Sequence, residues 1–296
     1  MHLFRSFSLL TAFTALLGCG KDAPPSPRVD LVSTGRFQTS SRVVPPGDTL
    51  TTRVFADTPD KNAPLRRFRI TVQYGENDSI PVLTYLDSTL STQEFIWDNS
   101  FVASTNSGRE IWRYQVTDTE GRTAMRQYRL VVRQPDSAQT WHSYTTVLQP
   151  PSTVSSRAIL PTRRGNALPP HAARQPEFQR LIDILFVPNA AGAPTLASPT
   201  DAAARTNPVL GVNAWSVRRA TGIKIAALSI DQFNQANSPA SIEAGVAAGS
   251  ALGTRTGALA KDQIVAFRTQ EGRPGLIRVT EVTARGNLVL NVKVVR

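Results

Sequence analysis

Residues 67–74, with the sequence RFRITVQY, decide the fold class of the first half of the chain. The apolar members of this stretch are Phe68, Ile70, Val72 and Tyr74, and a polar residue precedes each of them. Successive side chains of a β-strand point to opposite faces of the sheet, so this period of two predicts a strand with one apolar and one polar face.

The same alternation continues on both sides of this stretch. Further strands are predicted at residues 31–34, 49–56, 82–87, 94–98, 112–116 and 128–132. Proline, glycine and aspartate interrupt the pattern at 45–48, 59–64 and 118–121, where they are typical of turns. About seven short strands within residues 28–133 predict an N-terminal immunoglobulin-like (Ig-like) β-sandwich.

Residues 138–296 are predicted to form a second β-rich domain of the α+β type, after a polar boundary at 134–140. The stretch 149–176 contains six prolines together with Arg163 and Arg164, which predicts mostly loop. The apolar run 181–187 predicts a buried strand, in which Asp183 is either a satisfied core carboxylate or a site residue.

The C-terminal end of this second domain has the clearest pattern. Strands are expected at 263–269, 276–283 and 288–295, and residues 271–275 form a turn between the first two. This order predicts a C-terminal antiparallel meander of three strands. A helix is expected to begin after Ser238, since serine is a good N-cap and a proline follows it.

The N-terminus has the features of a secretory signal peptide over residues 1–18. Two basic residues, His2 and Arg5, precede an apolar stretch of ten residues at 8–17. A membrane-spanning helix needs about 20 apolar residues. This leader is therefore predicted to be removed rather than kept as a span.

Leu16-Leu17-Gly18-Cys19 resembles the lipobox of bacterial lipoproteins. The resemblance implies that a signal peptidase recognises Leu16, Leu17 and Gly18, and that Cys19 becomes the acylated first residue. Cys19 is the only cysteine of the chain, which excludes an intramolecular disulfide. Residues 19–27 are then a tether, and the protein is expected to be exported and lipid-anchored to the bacterial cell envelope, at the outer membrane.

Other phrases resemble recurring phrases of uncharacterised bacterial lipoproteins. They are Ile182-Asp183, residues 195–199, Trp215 with Arg218-Arg219, and residues 264–268 followed by 272–279. Residues 114–121 and 124–132 resemble the last hairpin of bacterial Ig-like and PKD-like modules. The chain therefore resembles an uncharacterised two-domain bacterial lipoprotein with an N-terminal Ig-like or PKD-like module, a resemblance that implies a shared fold and envelope context but no particular activity.

The net charge is +11, and most of the excess lies in the second half. From residue 134 onward there are 17 Lys and Arg against 9 Asp and Glu, whereas residues 28–133 have 14 against 12. A basic protein in the cytoplasm would be a candidate for nucleic-acid binding. The predicted export excludes that partner and leaves anionic envelope polymers, or simply a solvated arginine-rich surface.

Few residues suited to catalysis remain after the predicted cleavage. His142 and His171 are the only histidines left, and neither lies in a metal-ligand motif or beside a nucleophile motif. Asp118 and Glu120 fit a hairpin turn better than a calcium site, which needs six to eight oxygens. We expect no enzyme, metal or cofactor, with a hydrolase that uses a carboxylate pair as the alternative.

Two binding functions remain open from the sequence. The first is a non-catalytic binding, adhesion or scaffold module whose partner is an anionic polymer or another surface protein. The second is an accessory glycan-binding lipoprotein, in which aromatic side chains would contact sugar rings. The candidate ligand-binding residues are Trp97, Trp141, Trp215, Arg218 and Arg219.

Overall fold

The computed structural model describes residues 25–75, 80–133 and 140–296. The predicted signal peptide, the lipobox with Cys19 and most of the 19–27 tether lie outside these residues. So does most of the predicted boundary at 134–140, and the domain limits stay predictions. Within the described part no helix is long and apolar enough to cross a bilayer.

The first part of the described chain is a sandwich of eight strands in two sheets. The three-stranded sheet has the order β1-β3-β6 and the five-stranded sheet has the order β2-β8-β7-β4-β5. Neighbouring strands are antiparallel except β2 and β8, which are parallel. The strands are β1 (Arg28–Leu31), β2 (Arg42–Val44), β3 (Thr49–Asp57), β4 (Leu65–Tyr74), β5 (Val82–Thr92), β6 (Glu94–Val102), β7 (Gly108–Asp118) and β8 (Thr123–Val132).

The alternation of apolar residues explains this architecture. Phe68, Ile70 and Val72 of β4 are fully buried between the sheets, as are Trp112 and Val116 of β7. The predicted β-rich fold is confirmed. The sequence pattern missed β2, because three residues are too few for an alternation to be visible.

A buried polar network joins the two sheets of the sandwich. The Tyr128 hydroxyl lies 2.7 Å from Thr52 Oγ1 and 2.9 Å from the Tyr114 hydroxyl, to which Asn99 Nδ2 donates at 3.2 Å. Every one of these side chains is buried and has a partner, as buried polar groups require. Tyr114 is therefore a core tyrosine whose hydroxyl has side-chain partners.

The second part of the chain is built on a five-stranded antiparallel sheet with the order β13-β14-β15-β16-β9. The predicted meander is confirmed as β14, β15 and β16, and β9 and β13 extend it on either side. The strands are β9 (Trp141–Leu148), β10 (Ile159–Leu160), β11 (Ile184–Phe186), β12 (Leu196–Ala197), β13 (Gly222–Ala226), β14 (Ile264–Arg268), β15 (Pro274–Val282) and β16 (Leu288–Val295). The helices are α1 (Pro176–Gln179), α2 (Ala202–Thr206), α3 (Ile230–Gln235) and α4 (Pro239–Ala247).

Both faces of β14 are buried, which explains why this strand is a continuous apolar run. Val265 and Phe267 face the large core, whereas Ile264 and Ala266 pack under α3 and α4 in a second cluster. The helix predicted after Ser238 is confirmed as α4, with Ser238 as its N-cap. The strand predicted over 181–187 is shorter than expected, and Asp183 precedes it.

A buried lysine ties α3 to the sheet. Lys293 of β16 lies under α3, where its Nζ donates to the carbonyl oxygens of Phe233, Asn234 and Ala236 at 2.8–3.2 Å. These carbonyls end the helix and carry its partial negative charge. The sequence pattern did not predict the burial of Lys293.

One apolar core runs through both parts of the chain. Tyr85 of the sandwich contacts the rings of His171 and Phe178 edge-on, with centroids 5.2 and 6.0 Å away. Thr105 Oγ1 lies 2.7 Å from His142 Nε2. We call these five residues the seam. They pack the sandwich directly against the second part.

Candidate functional site

A cleft in the second part of the chain is lined by five arginines. The arginines are Arg163, Arg164, Arg180, Arg219 and Arg273. We call this site the arginine cleft. Its volume is about 120 Å³, well above the roughly 10–15 Å³ that one enclosed water needs, so it has room for a group of several atoms.

The first wall is the loop after β10. The N–H groups of Arg164 and Gly165 donate to the Pro161 carbonyl at 3.1 and 2.9 Å, which closes a tight turn. Gly165 has φ +72°, a conformation that favours glycine. Thr105 N–H and Oγ1 donate to the Arg164 carbonyl at 2.9 and 2.7 Å, so the sandwich holds this loop in place.

The other walls come from two distant segments. Arg180 follows the last residue of α1, where the chain turns towards β11. Arg273 belongs to the hairpin turn between β14 and β15, which is closed by hydrogen bonds between Thr269 and Arg273 and between Gly272 and Thr269. The sequence predicted this turn, but its approach to the loop at 163–164 depends on long-range packing.

Two acids of the cleft share one arginine. Arg219 Nε and Nη2 donate to Asp183 Oδ1 at 3.0 and 2.9 Å, and the other Asp183 oxygen accepts from the N–H and hydroxyl of Thr162 at 2.9 and 2.6 Å. The same guanidinium forms an ion pair with Glu271. Of the two roles considered for Asp183, the satisfied core carboxylate fits, although Asp183 also lines the cleft.

The pKa values follow from these contacts. The hydrogen bond from Arg219 is the main cause that lowers the pKa of Glu271 to about 2. Burial raises the pKa of Asp183, and the hydrogen bonds from Thr162 and Arg219 oppose that rise. Glu271 is thus ionised at neutral pH, and Arg219 serves as counter-ion to both carboxylates.

The remaining four arginines of the cleft have no acidic partner among the described residues. The Arg164 guanidinium lies 4.3 Å above the Tyr74 ring, and Arg163 and Arg180 are exposed to solvent. Burial lowers the pKa of Arg163, and the nearby charges of Arg273 and Arg164 lower it further. Five arginines against two acids leave an excess of positive charge that favours an anion.

The three tryptophans proposed from the sequence do not form a common platform. Trp215 is buried, with 4% of its surface exposed. Trp97 packs against the main core beside Phe95, and Trp141 lies near Lys293, 5.5 Å from its Nζ. Among the described residues no ring contact joins two tryptophans.

The two arginines proposed from the sequence have different surroundings. Arg219 lines the arginine cleft, as described above. Arg218 does not line the cleft. Its Nε and Nη2 donate to the carbonyl oxygens of Val212 and Asn213 in the preceding turn, at 3.0 and 2.8 Å. Their roles in ligand binding stay predictions.

Sequence reasoning missed four residues of the cleft as candidates. Arg163 and Arg164 were visible as an arginine pair within a proline-rich loop, and Arg273 as part of the Glu-Gly-Arg-Pro turn. Arg180 carried no signal. None of these arginines indicates a site by itself, because single arginines are common at protein surfaces. Only the fold shows that they lie together.

The acidic turn of the sandwich behaves as the sequence predicted. Asp118 accepts from the N–H of Arg122 at 2.9 Å and from its Nε at 2.6 Å, which fixes the hairpin beside Gly121. In the part of the chain that the structure describes, no group of three or more His, Cys, Asp or Glu could hold a metal ion.

Comparison with known proteins gives only distant likenesses. No family model matches the chain, and no curated protein does. Among solved structures, a DUF4466 family protein from Parabacteroides merdae is similar at 10% identity and a TM-score of 0.38, covering 93% of this chain and 100% of its own. Murine CRIg is similar at 14% identity and a TM-score of 0.22, covering 36% of this chain and 98% of its own.

Proposed function

We propose that the chain is an exported, lipid-anchored, non-catalytic binding protein of the bacterial cell envelope, held at the outer membrane through Cys19. The observation that carries this proposal is the attachment of the cleft loop to the sandwich. The backbone carbonyls of Arg163 and Arg164 accept hydrogen bonds from Asn106 and Thr105 at 2.6 and 2.9 Å. A binding site built in this way keeps a fixed position relative to the domain that follows the anchor.

The order of segments supports a spacer and a display domain. The lipobox comes first, the tether second, the sandwich third and the arginine cleft last. The seam buries aromatic rings from both parts in one core, which resists bending between them. The sandwich then acts as a rigid support that holds the cleft away from the bilayer.

The state of the two carboxylates supports binding over hydrolysis. A glycoside hydrolase needs one carboxyl group as an acid and the other as a base or nucleophile. Here Asp183 and Glu271 are both held by Arg219, and Asp183 is buried as well. With Arg219 bonded to both groups, Glu271 has a pKa of about 2 and is a weak base, and both oxygens of Asp183 are occupied by hydrogen bonds within the protein.

We also infer that the sandwich is an Ig-like module, in line with the resemblance to two-domain bacterial lipoproteins. The inference is supported by two facing sheets of three and five strands, with β2 joined to β8 in parallel at the edge. Ig-like modules in extracellular proteins commonly serve as spacers, which suits the role given to this part.

The proposal is tested by labelling cells with a palmitate analogue and separating membranes from soluble fractions. Wild-type protein should carry the label and sediment with membranes, because two or three acyl chains anchor stably. Cys19→Ala should lose the label and leave the membrane fraction. Lys21→Ala, which keeps the lipobox, is the matched control and should behave as wild type. Equal labelling of Cys19→Ala would contradict the proposal.

A further inference from the structure

We propose that the arginine cleft binds an oxyanion, namely a carboxylate, sulfate or phosphate group carried by an acidic polysaccharide. The ligand group would lie between Arg163 and Arg273, with Arg180 and Arg164 beside it. The site itself does not depend on acylation of Cys19. Only the expectation that the ligand belongs to the cell envelope rests on the proposed function.

The first argument is the balance of charge within the cleft. Arg219 neutralises Asp183 and Glu271, and its guanidinium is fully engaged by them and by the Arg180 carbonyl. The other four arginines have no acidic partner among the described residues. The negative charge of Glu271 also acts on Arg163, but the ion pair of Glu271 is with Arg219, so an entering oxyanion would meet four arginines that have no ion-pair partner of their own.

The second argument is the crowding of like charges. The positive charges of Arg273 and Arg164, together with burial, lower the pKa of Arg163, which means that its protonated form is disfavoured there. Clustered cations are a cost to the folded protein unless a counter-ion offsets them. A bound oxyanion removes that cost, so the cleft is prepared for a negative ligand.

The third argument is the chemistry of the donor groups. A guanidinium presents its N–H groups in a planar fork that matches the two oxygens of a carboxylate, sulfate or phosphate. The three segments that carry these forks are held by backbone hydrogen bonds, so little conformational freedom is lost on binding. The lining also includes Pro161, Leu181 and Val294, which offer an apolar wall to the C–H groups of a sugar.

Arg28 and Arg53 of the sandwich lack this arrangement. Arg28 and Arg53 each face an aspartate directly across a strand pair, at 2.5 and 2.6 Å. Their charge is already compensated. The cleft therefore differs from the general arginine-rich surface in having several cations on one concave site without partners.

The experiment measures binding of the detergent-solubilised full chain by isothermal titration calorimetry. The probes are polygalacturonate, dextran sulfate and inorganic phosphate, with neutral dextran as the uncharged control. Binding of at least one charged probe and none of dextran is expected. Competition of inorganic phosphate with either polymer would support the same site, and binding of dextran equal to that of the charged polymers would overturn the proposal.

The site is located with a pair of double variants that remove equal charge. Arg163→Ala/Arg273→Ala should weaken polymer binding about tenfold or more, since two charge-assisted contacts are lost. Arg28→Ala/Arg126→Ala removes two exposed arginines from the sandwich and should change binding less than about twofold. Equal losses in both variants would indicate general charge attraction and overturn the site.

Two further measurements separate the possible failures. Thermal unfolding followed by circular dichroism checks that each variant folds. If the alanine double variant does not fold, Arg163→Lys/Arg273→Lys replaces it, because lysine keeps both positive charges. Lysine lacks the planar fork, so this variant should bind more weakly than wild type even at low salt. Loss of palmitate labelling would contradict only the proposed anchor. Loss of polymer binding with normal labelling would contradict only the proposed oxyanion site in the arginine cleft.

Discussion

The seam and the arginine cleft lie on either side of the same loop, yet they are built from opposite chemistry. The seam is closed and uncharged: Tyr85 and Phe178 are fully buried, and His142 and His171 lie almost entirely out of solvent. The cleft is open, and arginines from four segments meet there. Residues 161–165 link the two, because this loop contacts Thr105 on one side and carries Arg163 on the other.

This difference indicates which contacts hold the molecule together and which are available to a partner. Groups that stabilise a fold have their hydrogen bonds and charges satisfied within it. The charges of Asp183 and Arg219 compensate each other, so this pair stabilises the fold, as the residues of the seam do. Arg163 and Arg273 have no acidic partner among the described residues, so their charges are available to an anion.

The largest expected effect concerns the buried ion pair under the cleft. Arg219→Ala leaves Asp183 buried without its counter-ion, which should lower the free energy of unfolding by about 3–5 kcal/mol. Arg53→Ala, which breaks an exposed pair of the sandwich, should cost less than about 1 kcal/mol. Urea denaturation measures both. A loss below about 1 kcal/mol in Arg219→Ala would mean that this pair is no more structural than a surface pair.

A smaller loss of folding stability is expected from a substitution in the loop of residues 161–165, which lies between the seam and the cleft. Gly165 and Gly192 have similar φ angles, +72° and +79°, so alanine is strained at both. A Cβ at Gly165 would lie 2.1 Å from Thr105 Oγ1 and 2.9 Å from the Tyr144 ring, whereas nothing lies within 4 Å of one at Gly192. Gly165→Ala should therefore cost about 1–3 kcal/mol more than Gly192→Ala, and should weaken polymer binding by displacing Arg163 and Arg164.

Urea denaturation of both glycine variants measures this difference, with the calorimetric assay as the second readout. Equal losses would mean that the loop moves freely against Thr105 and Tyr144. That result would contradict a cleft held rigidly by the sandwich, even if Cys19 is acylated as proposed.

The sequence predicted the sheets well, for a physical reason. Strand alternation and turn residues are local signals, and residues 67–74 and the C-terminal meander carry them without ambiguity. Lys293 is an exception, since a charged residue predicts exposure unless the carbonyl groups that surround it are known. Those carbonyls come from α3, about sixty residues earlier in the chain.

The cleft could not be predicted in the same way. Arg163, Arg219 and Arg273 lie more than fifty residues apart, and no local pattern indicates that they meet. The sequence identified Asp183 as a carboxylate within an apolar run and Arg219 through a resemblance, and neither observation indicated that the two are in contact. Unpaired charge is a property of the folded molecule, because it depends on which acids are near.

The third expected effect concerns the titration of the seam and is confined to acidic pH. Burial lowers the pKa values of His142 and His171 to about 4, compared with about 6.5 for an unfolded chain. Between these values the unfolded state binds protons that the folded state does not. Stability is therefore fully present above pH 6.5 and is lost as pH falls towards 4, by up to about 1.4 kcal/mol per pH unit for each histidine.

His171→Phe tests this titration without emptying the seam. Neither ring nitrogen of His171 makes a hydrogen bond of normal geometry within the described structure, and the ring meets Tyr85 edge-on, as phenylalanine also can. The variant should be as stable as wild type or more so at pH 7.5, and its free energy of unfolding should fall less steeply between pH 6.5 and 4. Tyr85→Phe, which removes a hydroxyl that does not titrate in this range, is the control and should keep the wild-type slope. An unchanged slope in His171→Phe would mean that water reaches this histidine, and the seam would then be less closed than its contrast with the cleft requires.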